Sequence, residues 1–119
     1  MNYTVEEIKN MIIKAVEDKK ARDIVAINVG EQTVIADYLI ICTGKSAPQV
    51  KAIANNVDDE LAKVGIEPLR REGIQEGRWA VVDYGSIIVH VFNDESRVTY
   101  ALDQLWSNGN NIERIETEY

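Results

Sequence analysis

The Gly85-Ser86 pair is the part of the sequence closest to a catalytic motif, and it stands between two apolar runs, 79–84 and 87–92. A Gly-Ser turn can present backbone amides to a triphosphate, as nucleotidyl transfer requires. That chemistry also needs two carboxylates, usually alternating on one strand face so that both reach the same Mg²⁺ ions. The second run offers only His90, so this pair is missing. A hairpin turn explains the motif instead, because Gly allows positive φ and Ser bonds the neighbouring backbone.

Three other features could do chemistry, and each has a simpler structural explanation. His90 is the only histidine, lies on an apolar strand and has no Ser, Cys or carboxylate spaced to suggest a triad, although distant residues could assemble one. A hydrogen-bonded structural histidine is therefore the favoured interpretation. Gly44-Lys45-Ser46 ends like a phosphate-binding loop but lacks the first glycine of that motif, which favours a helix cap. Cys42 is the single cysteine, so it has no partner for a disulfide or metal knuckle and is predicted to be buried. The sequence therefore predicts no catalytic residue, no cofactor-binding residue and no metal ligand.

Aromatic residues beside charged ones are the remaining candidates. Trp and Tyr next to a few charges are typical of the centres of protein interfaces. Alternation along the strand at 79–84 places Trp79 and Asp83 on one face and Tyr84 on the other. The alternative is that both tryptophans simply cover the core, since large aromatics are well buried on average. We predict a partner-binding surface centred on Trp79, Asp83, Tyr84, Tyr100 and Trp106.

Composition and charge restrict the class of protein. A chain of 119 residues, 45% hydrophobic and 28% charged, is long enough for one packed domain. Its 20 acidic and 13 basic residues give a formal charge of -7, which repels a phosphate backbone, so direct nucleic-acid binding is not expected. An acidic domain is better suited to dock on a basic protein. No apolar stretch reaches the roughly 20 residues of a membrane helix, and the first residues lack signal-peptide order, so we expect a cytoplasmic protein without a membrane partner.

Two amphipathic helices are marked by their caps. Thr4 and Glu7 form a T-x-x-E capping box before an apolar stripe at helical spacing. Ser46, followed three residues later by Gln49, begins a second helix. Gly65 fits the left-handed position that ends this helix.

A third helix is predicted over residues 94–106, with Asp94 as its cap. Its inward positions are Val98, Ala101, Leu102 and Leu105. Residues 110–119 are polar and acidic and are predicted to form a mobile tail or a weakly held sheet edge. Residues 1–109 are then the single domain.

Strands account for most of the remaining apolar sequence. The β-branched runs 23–30 and 33–44 predict a hairpin joined by Glu31-Gln32. The second run is almost continuously apolar, which indicates a central strand covered on both faces. Helices and strands are interleaved, so the predicted fold class is α/β, a mixed β-sheet flanked by helices.

A family resemblance is spread over the chain from the first helix to Trp106. It is carried by Asp37-Tyr38-Leu39-Ile40-Ile41, Thr43-Gly44, Ser46, Gln49-Val50, Ala52-Ile53-Ala54, Glu72-Gly73, Trp79, Asp83-Tyr84-Gly85, His90-Val91-Phe92, Arg97, Tyr100-Ala101-Leu102 and Leu105-Trp106. On these residues the chain resembles the bacterial ribosomal silencing factor family, also called the Iojap-like proteins. Thr99 departs from the bulky aromatic expected before Tyr100, and Asp103 stands where Glu is usual.

The resemblance implies a non-enzymatic protein that binds ribosomal protein fourteen of the large subunit, on the face that meets the small subunit. Bound there, it would block subunit joining and repress translation when nutrients are short. The resemblance also implies a nucleotidyltransferase-like fold without the metal-binding carboxylate pair. A role in large-subunit assembly and a residual nucleotide-binding role stay open. So does the choice between monomer and homodimer for the free protein, since an exposed aromatic patch would support self-association.

Overall fold

The computed structural model describes residues 2–119, which form a six-stranded mixed sheet with helices. The elements are α1 (Val5–Glu17), β1 (Arg22–Asn28), β2 (Tyr38–Thr43), α2 (Ala47–Ala62), β3 (Arg70–Glu72), β4 (Trp79–Asp83), β5 (Ile87–Phe92), α3 (Asp94–Tyr100), α4 (Leu102–Trp106) and β6 (Ile112–Arg114). The strand order is β3-β4-β5-β2-β1-β6. Only the central β2–β5 pair is parallel, and its neighbours are antiparallel. The predicted α/β class with a mixed sheet is confirmed.

The two long helices begin where their caps predict. The Thr4 hydroxyl accepts a hydrogen bond from the Glu7 amide at 3.1 Å, and the Glu7 carboxylate accepts one from the Thr4 amide at 2.9 Å. The Ser46 hydroxyl accepts one from the Gln49 amide at 3.2 Å. These side chains satisfy amides that have no partner within the helix itself. The helix starts at Val5 and Ala47 are therefore determined locally.

The main core lies between α1, α2 and one face of the sheet. Apolar side chains of both helices, such as Ile12 and Ile53, are fully buried against strand residues such as Ile40. Cys42 belongs to this core, and burial raises the pKa of its thiol to about 12. The prediction that Cys42 is buried is confirmed.

A smaller core covers part of the opposite face. Leu39, Ile41 and Phe92 are buried there beneath α4 and the segment that follows β1. Every residue of β2 after Tyr38 is buried, as predicted for a central strand covered on both faces. Within residues 2–119, no long helix crosses this second face, so the ends of β4 and β5 are covered by short elements.

The predicted third helix is wrong in its continuity, its cap and its inward face. The structure divides it at Ala101, which takes a left-handed φ of 46°. Asn93, not Asp94, accepts the capping hydrogen bond from the Ser96 amide. Val98 and Leu105, predicted to face inward, are 79% and 70% exposed. After this break, Leu102 and Trp106 pack against the smaller core.

The predicted hairpin of β1 and β2 forms, but its two-residue link is wrong. The strands stop at Asn28 and resume at Tyr38, so residues 29–37 form a loop. The Asn28 side chain accepts a hydrogen bond from the Gly30 amide, which turns the chain away from the sheet. Val34 and Ile35, the β-branched residues taken for strand, are 104% and 72% exposed.

The segment after Gly109, predicted as a mobile tail or a sheet edge, includes the edge strand β6. This strand pairs antiparallel with β1 through three residues. Beyond it, the Ile115 amide donates to the Ile24 carbonyl at 2.9 Å and the Tyr119 hydroxyl donates to the Ala21 carbonyl at 2.6 Å.

Candidate functional site

The Gly85-Ser86 pair forms the turn of the β4–β5 hairpin. Gly85 has a φ of +85°, and its amide donates to the Asp83 carboxylate at 2.8 Å. The carbonyl of Ser86 accepts hydrogen bonds from the amides of Asp37 and Tyr38 at 2.8 and 3.1 Å. These groups hold the turn and join it to β2. Within residues 2–119, no group of three or more His, Cys, Asp or Glu side chains is placed to hold a metal ion.

The His90 side chain is hydrogen-bonded to that of Trp79 diagonally across the β4–β5 ladder, in which His90 is opposite Val81. The Trp79 indole N–H donates to His90 Nδ1 at 3.0 Å. Because Nδ1 accepts this bond, the proton of the neutral ring lies on Nε2. Burial lowers the pKa of His90 to about 4, against the weaker opposing effect of the Asp83 carboxylate. His90 is therefore the buried, hydrogen-bonded histidine that the sequence predicted, and it is uncharged at neutral pH.

Trp79 is the centre of an aromatic cluster on the face of the sheet opposite α1 and α2. Its ring centroid lies 4.4 Å from that of Tyr100, 5.1 Å from that of Phe92 and 5.9 Å from that of His90. Phe92 is fully buried beneath the cluster, whereas Tyr100 is 50% exposed on top of it. The cluster thus joins the smaller core to the protein surface.

An apolar pocket of about 230 Å³ opens beside this cluster. Its lining comes from the loop after β1, from three strands and from α4: Val29, Thr33, Ile35, Ala36, Leu39, Trp79, Ile88, His90, Leu102 and Trp106. Trp79 and Trp106 both contribute to its wall. We refer to this depression as the apolar pocket. Its exposed rim residue Ile35 and the nearby exposed Leu105 of α4 add apolar surface that nothing in residues 2–119 covers.

The structure brings four of the five residues of the predicted surface to this face and separates the fifth. Trp79, Tyr100 and Trp106 lie in or beside the apolar pocket. Asp83 lies on the same strand face, but its side chain is only 14% exposed and receives the Arg70 guanidinium at 3.2 Å. Tyr84 points to the opposite face and packs against the main core. Its hydroxyl is buried without a hydrogen-bond partner in the described residues, and burial raises its pKa.

Arg97 is a positioning residue that sequence reasoning did not single out for this role. Its guanidinium donates to the Asp23 carbonyl and to the Thr43 hydroxyl, each at 2.9 Å, and lies 3.4 Å from the Asp103 carboxylate. It therefore ties α3 and α4 to the ends of β1 and β2. Arg97 and Asp103 are six residues apart, which is not a spacing that pairs side chains on a continuous helix. The sequence accordingly carried no local signal of this contact.

The sequence also does not predict the residues that line the pocket, for a different reason. Thr33 and Ile35 were assigned to a strand because β-branched runs favour strands. Leu102 is predicted to face inward, but the sequence does not show that the core beneath it is left partly open. Only the packing of the loop after β1 against α4 creates the cavity.

The fold and this surface define a small α/β domain with an apolar pocket open to solvent on one face of its sheet. The family model described as "Ribosomal silencing factor during starvation" matches residues 2–119. A ribosomal silencing factor of Halalkalibacterium halodurans is 39% identical over 108 residues, which cover 91% of this chain and 92% of that protein. The chain belongs to the ribosomal silencing factor family.

A solved structure and a more distant relative agree with this assignment. A crystal structure of a Chromobacterium violaceum protein matches with a TM-score of 0.87 at 32% identity, covering 98% of this chain and 94% of that one. A mouse protein named mitochondrial assembly of ribosomal large subunit protein 1 is 30% identical over 82% of this chain and 44% of its own length. None of the helices described in residues 2–119 has the length and apolar character to cross a bilayer.

Proposed function

We propose that this protein is a non-enzymatic translation repressor of the cytoplasm that binds the large ribosomal subunit through ribosomal protein fourteen. Bound on the face that meets the small subunit, it blocks subunit joining by steric exclusion when nutrients are short. The observation that carries the proposal is the family match over residues 2–119. No chemical step is needed, because the small subunit cannot contact a site on the large subunit that this domain already occupies.

Charge and surface character support a protein partner. Ribosomal proteins are typically basic, and a domain of formal charge -7 complements such a surface. Electrostatic attraction of this kind raises the association rate at low salt and is screened as ionic strength increases. The aromatic cluster supplies the apolar contact that a charged rim alone does not, because Trp and Tyr dominate the binding energy of most interfaces.

The partner surface that we propose is centred on Trp79, Tyr100 and Trp106, with Asp83 beside them. Tyr84, which belonged to the predicted set, is proposed to act indirectly by packing under the β4–β5 turn. Tyr100 is the best single test because it is half-exposed and rests on Trp79 without supporting the main core. Removal of an interface hot spot costs about 2 kcal/mol or more, which corresponds to a loss of roughly 30-fold in affinity.

The experiment compares Tyr100→Ala with Leu69→Ala in binding to purified large subunits. Leu69 is 73% exposed and lies beside Asp83, at the end of β4 away from Trp79 and Tyr100, so its loss controls for removal of an exposed apolar side chain outside the aromatic cluster. We expect Tyr100→Ala to weaken binding and to restore subunit joining, while Leu69→Ala behaves like the wild type. Equal binding by both folded variants would move the contact away from the aromatic cluster.

A role in assembly of the large subunit is the second candidate. It is favoured by the mouse relative, whose name states such a role and which aligns with 82% of this chain. Both functions would use the same docking surface, so binding alone does not separate them. Accumulation of precursor large subunits in a deletion strain during unrestricted growth would favour assembly, whereas a defect confined to nutrient shortage would favour silencing.

A further inference from the structure

The apolar pocket has the size of one large side chain. Its volume of about 230 Å³ lies below the roughly 300–1,000 Å³ of sites that hold cofactors and other small molecules. It lies above the roughly 150 Å³ of an engineered cavity that binds benzene. A nucleotide therefore exceeds the pocket, whereas a Leu, Met or Phe side chain fits.

The walls of the pocket suit an apolar occupant. The indole N–H of Trp79 is already donated to His90, so it needs no hydrogen-bond acceptor on the occupant. His90 is the one titratable residue among the lining residues named above. Because burial lowers its pKa, it is uncharged at neutral pH and the lining carries no charge. Leu39, Ile88 and Leu102 complete a lining in which an unpaired polar group would be penalised.

Two exposed carboxylates lie near the pocket, and one of them has a cation beside it. Asp37 is exposed and directly follows the lining residue Ala36. Glu95 is exposed and shares an adjoining depression with Trp79 and Tyr100, where Arg78 is the only basic residue. The formal charge of -7 for the whole chain favours a basic protein over a second, equally acidic copy as the partner that approaches the pocket.

We propose that the apolar pocket receives a single large apolar side chain projected from a basic protein surface. The inference rests on the proposed function, in which that surface belongs to a large-subunit protein, and it specifies the contact that anchors the complex. A side chain inserted between Trp79 and Trp106 would be fully desolvated at the centre of the interface. Buried anchors of this type carry most of the binding energy, while the charged residues around them mainly set orientation and association rate.

The test fills the pocket and compares the result with an equal change outside it. Ile88→Trp adds bulk to a lining residue, and Val98→Trp adds the same bulk at a position that is 79% exposed and does not line the pocket. Both variants are first checked for an unchanged far-ultraviolet spectrum and cooperative melting. We expect Ile88→Trp to lose at least about 30-fold in affinity for purified large subunits, as a hot-spot contact requires, and Val98→Trp to stay within about threefold.

A photocrosslink from the pocket rim gives an answer even if Ile88→Trp fails to fold. Ile35 lines the pocket and is 72% exposed, so benzoylphenylalanine at this position leaves the core intact. We expect the crosslink on purified large subunits to fall on a large apolar residue, or its immediate neighbour, in a basic ribosomal protein. Crosslinks confined to ribosomal RNA or to a second copy of this protein would overturn the proposal.

The possible results distinguish failure of the pocket proposal from failure of the proposed function. If the wild type binds large subunits and folded Ile88→Trp binds equally well, the pocket occupant is refuted and the proposed function stands. If the wild type binds no large subunit under conditions in which the subunits are intact, the proposed function fails and the occupant inferred from it fails as well.

Discussion

His90 makes the free energy of unfolding depend on pH, and the size of the effect follows from its surroundings. Burial beside Trp79 lowers the pKa of His90 from 6.5 to about 4. At any pH between these two values, His90 is therefore mostly protonated in the unfolded chain and mostly uncharged in the folded chain. Stability is present above the unfolded pKa and is lost as the pH falls through this window. The total loss is about 3 kcal/mol, since one pKa unit corresponds to about 1.4 kcal/mol.

Between about pH 7 and about pH 5, the His90 contribution should fall by about 2 kcal/mol. The assay is denaturant unfolding of the wild type and of His90→Gln at both pH values. Glutamine keeps an acceptor for the Trp79 indole N–H but does not titrate, and the chain has no other histidine. Carboxylates contribute equally to both proteins and cancel in the comparison. An identical pH dependence for the two proteins would refute an uncharged, buried His90.

Three further predictions concern glycine positions in two turns, the break between α3 and α4, and nucleotide binding. Gly73→Ala should destabilise by about 2 kcal/mol or more, because the added Cβ would lie 2.0 Å from the Trp79 carbonyl oxygen. Gly65→Ala, also at positive φ but with open space around it, should cost only about 1 kcal/mol in thermal unfolding. Ala101→Gly should raise stability by up to about 1 kcal/mol by relieving a left-handed φ of 46°, and a destabilised variant would show that the α3–α4 break is not strained. ATP or CTP with Mg²⁺ should leave the melting temperature unchanged, whereas a concentration-dependent rise would revive a nucleotide-binding role.

Features that depend on neighbouring residues could be read from the sequence. The Thr4 and Ser46 caps required only side chains within three positions of the amides that they satisfy. The alternation that separates Trp79 from Tyr84 required only the two-residue period of a strand. These local rules were sufficient for the α/β class and for the position of the β4–β5 turn.

Features that depend on distant contacts could not be read in the same way. A continuous helix over residues 94–106 satisfies the helical period, but Arg97 reaches the Asp23 carbonyl and the Thr43 hydroxyl, more than fifty positions away. Those bonds hold α3 at the end of the sheet, so α4 must change direction to cover the smaller core. The apolar pocket is a product of this break, and no sequence period encodes a cavity.

Gradient sedimentation of purified large and small ribosomal subunits, with and without the protein, tests the central claim most directly. We expect the protein to sediment with the large subunit and the peak of joined subunits to disappear as its concentration increases. A joined peak that persists while the protein occupies the large subunit would contradict steric silencing, and absence of the protein from both subunit peaks would contradict ribosome binding itself.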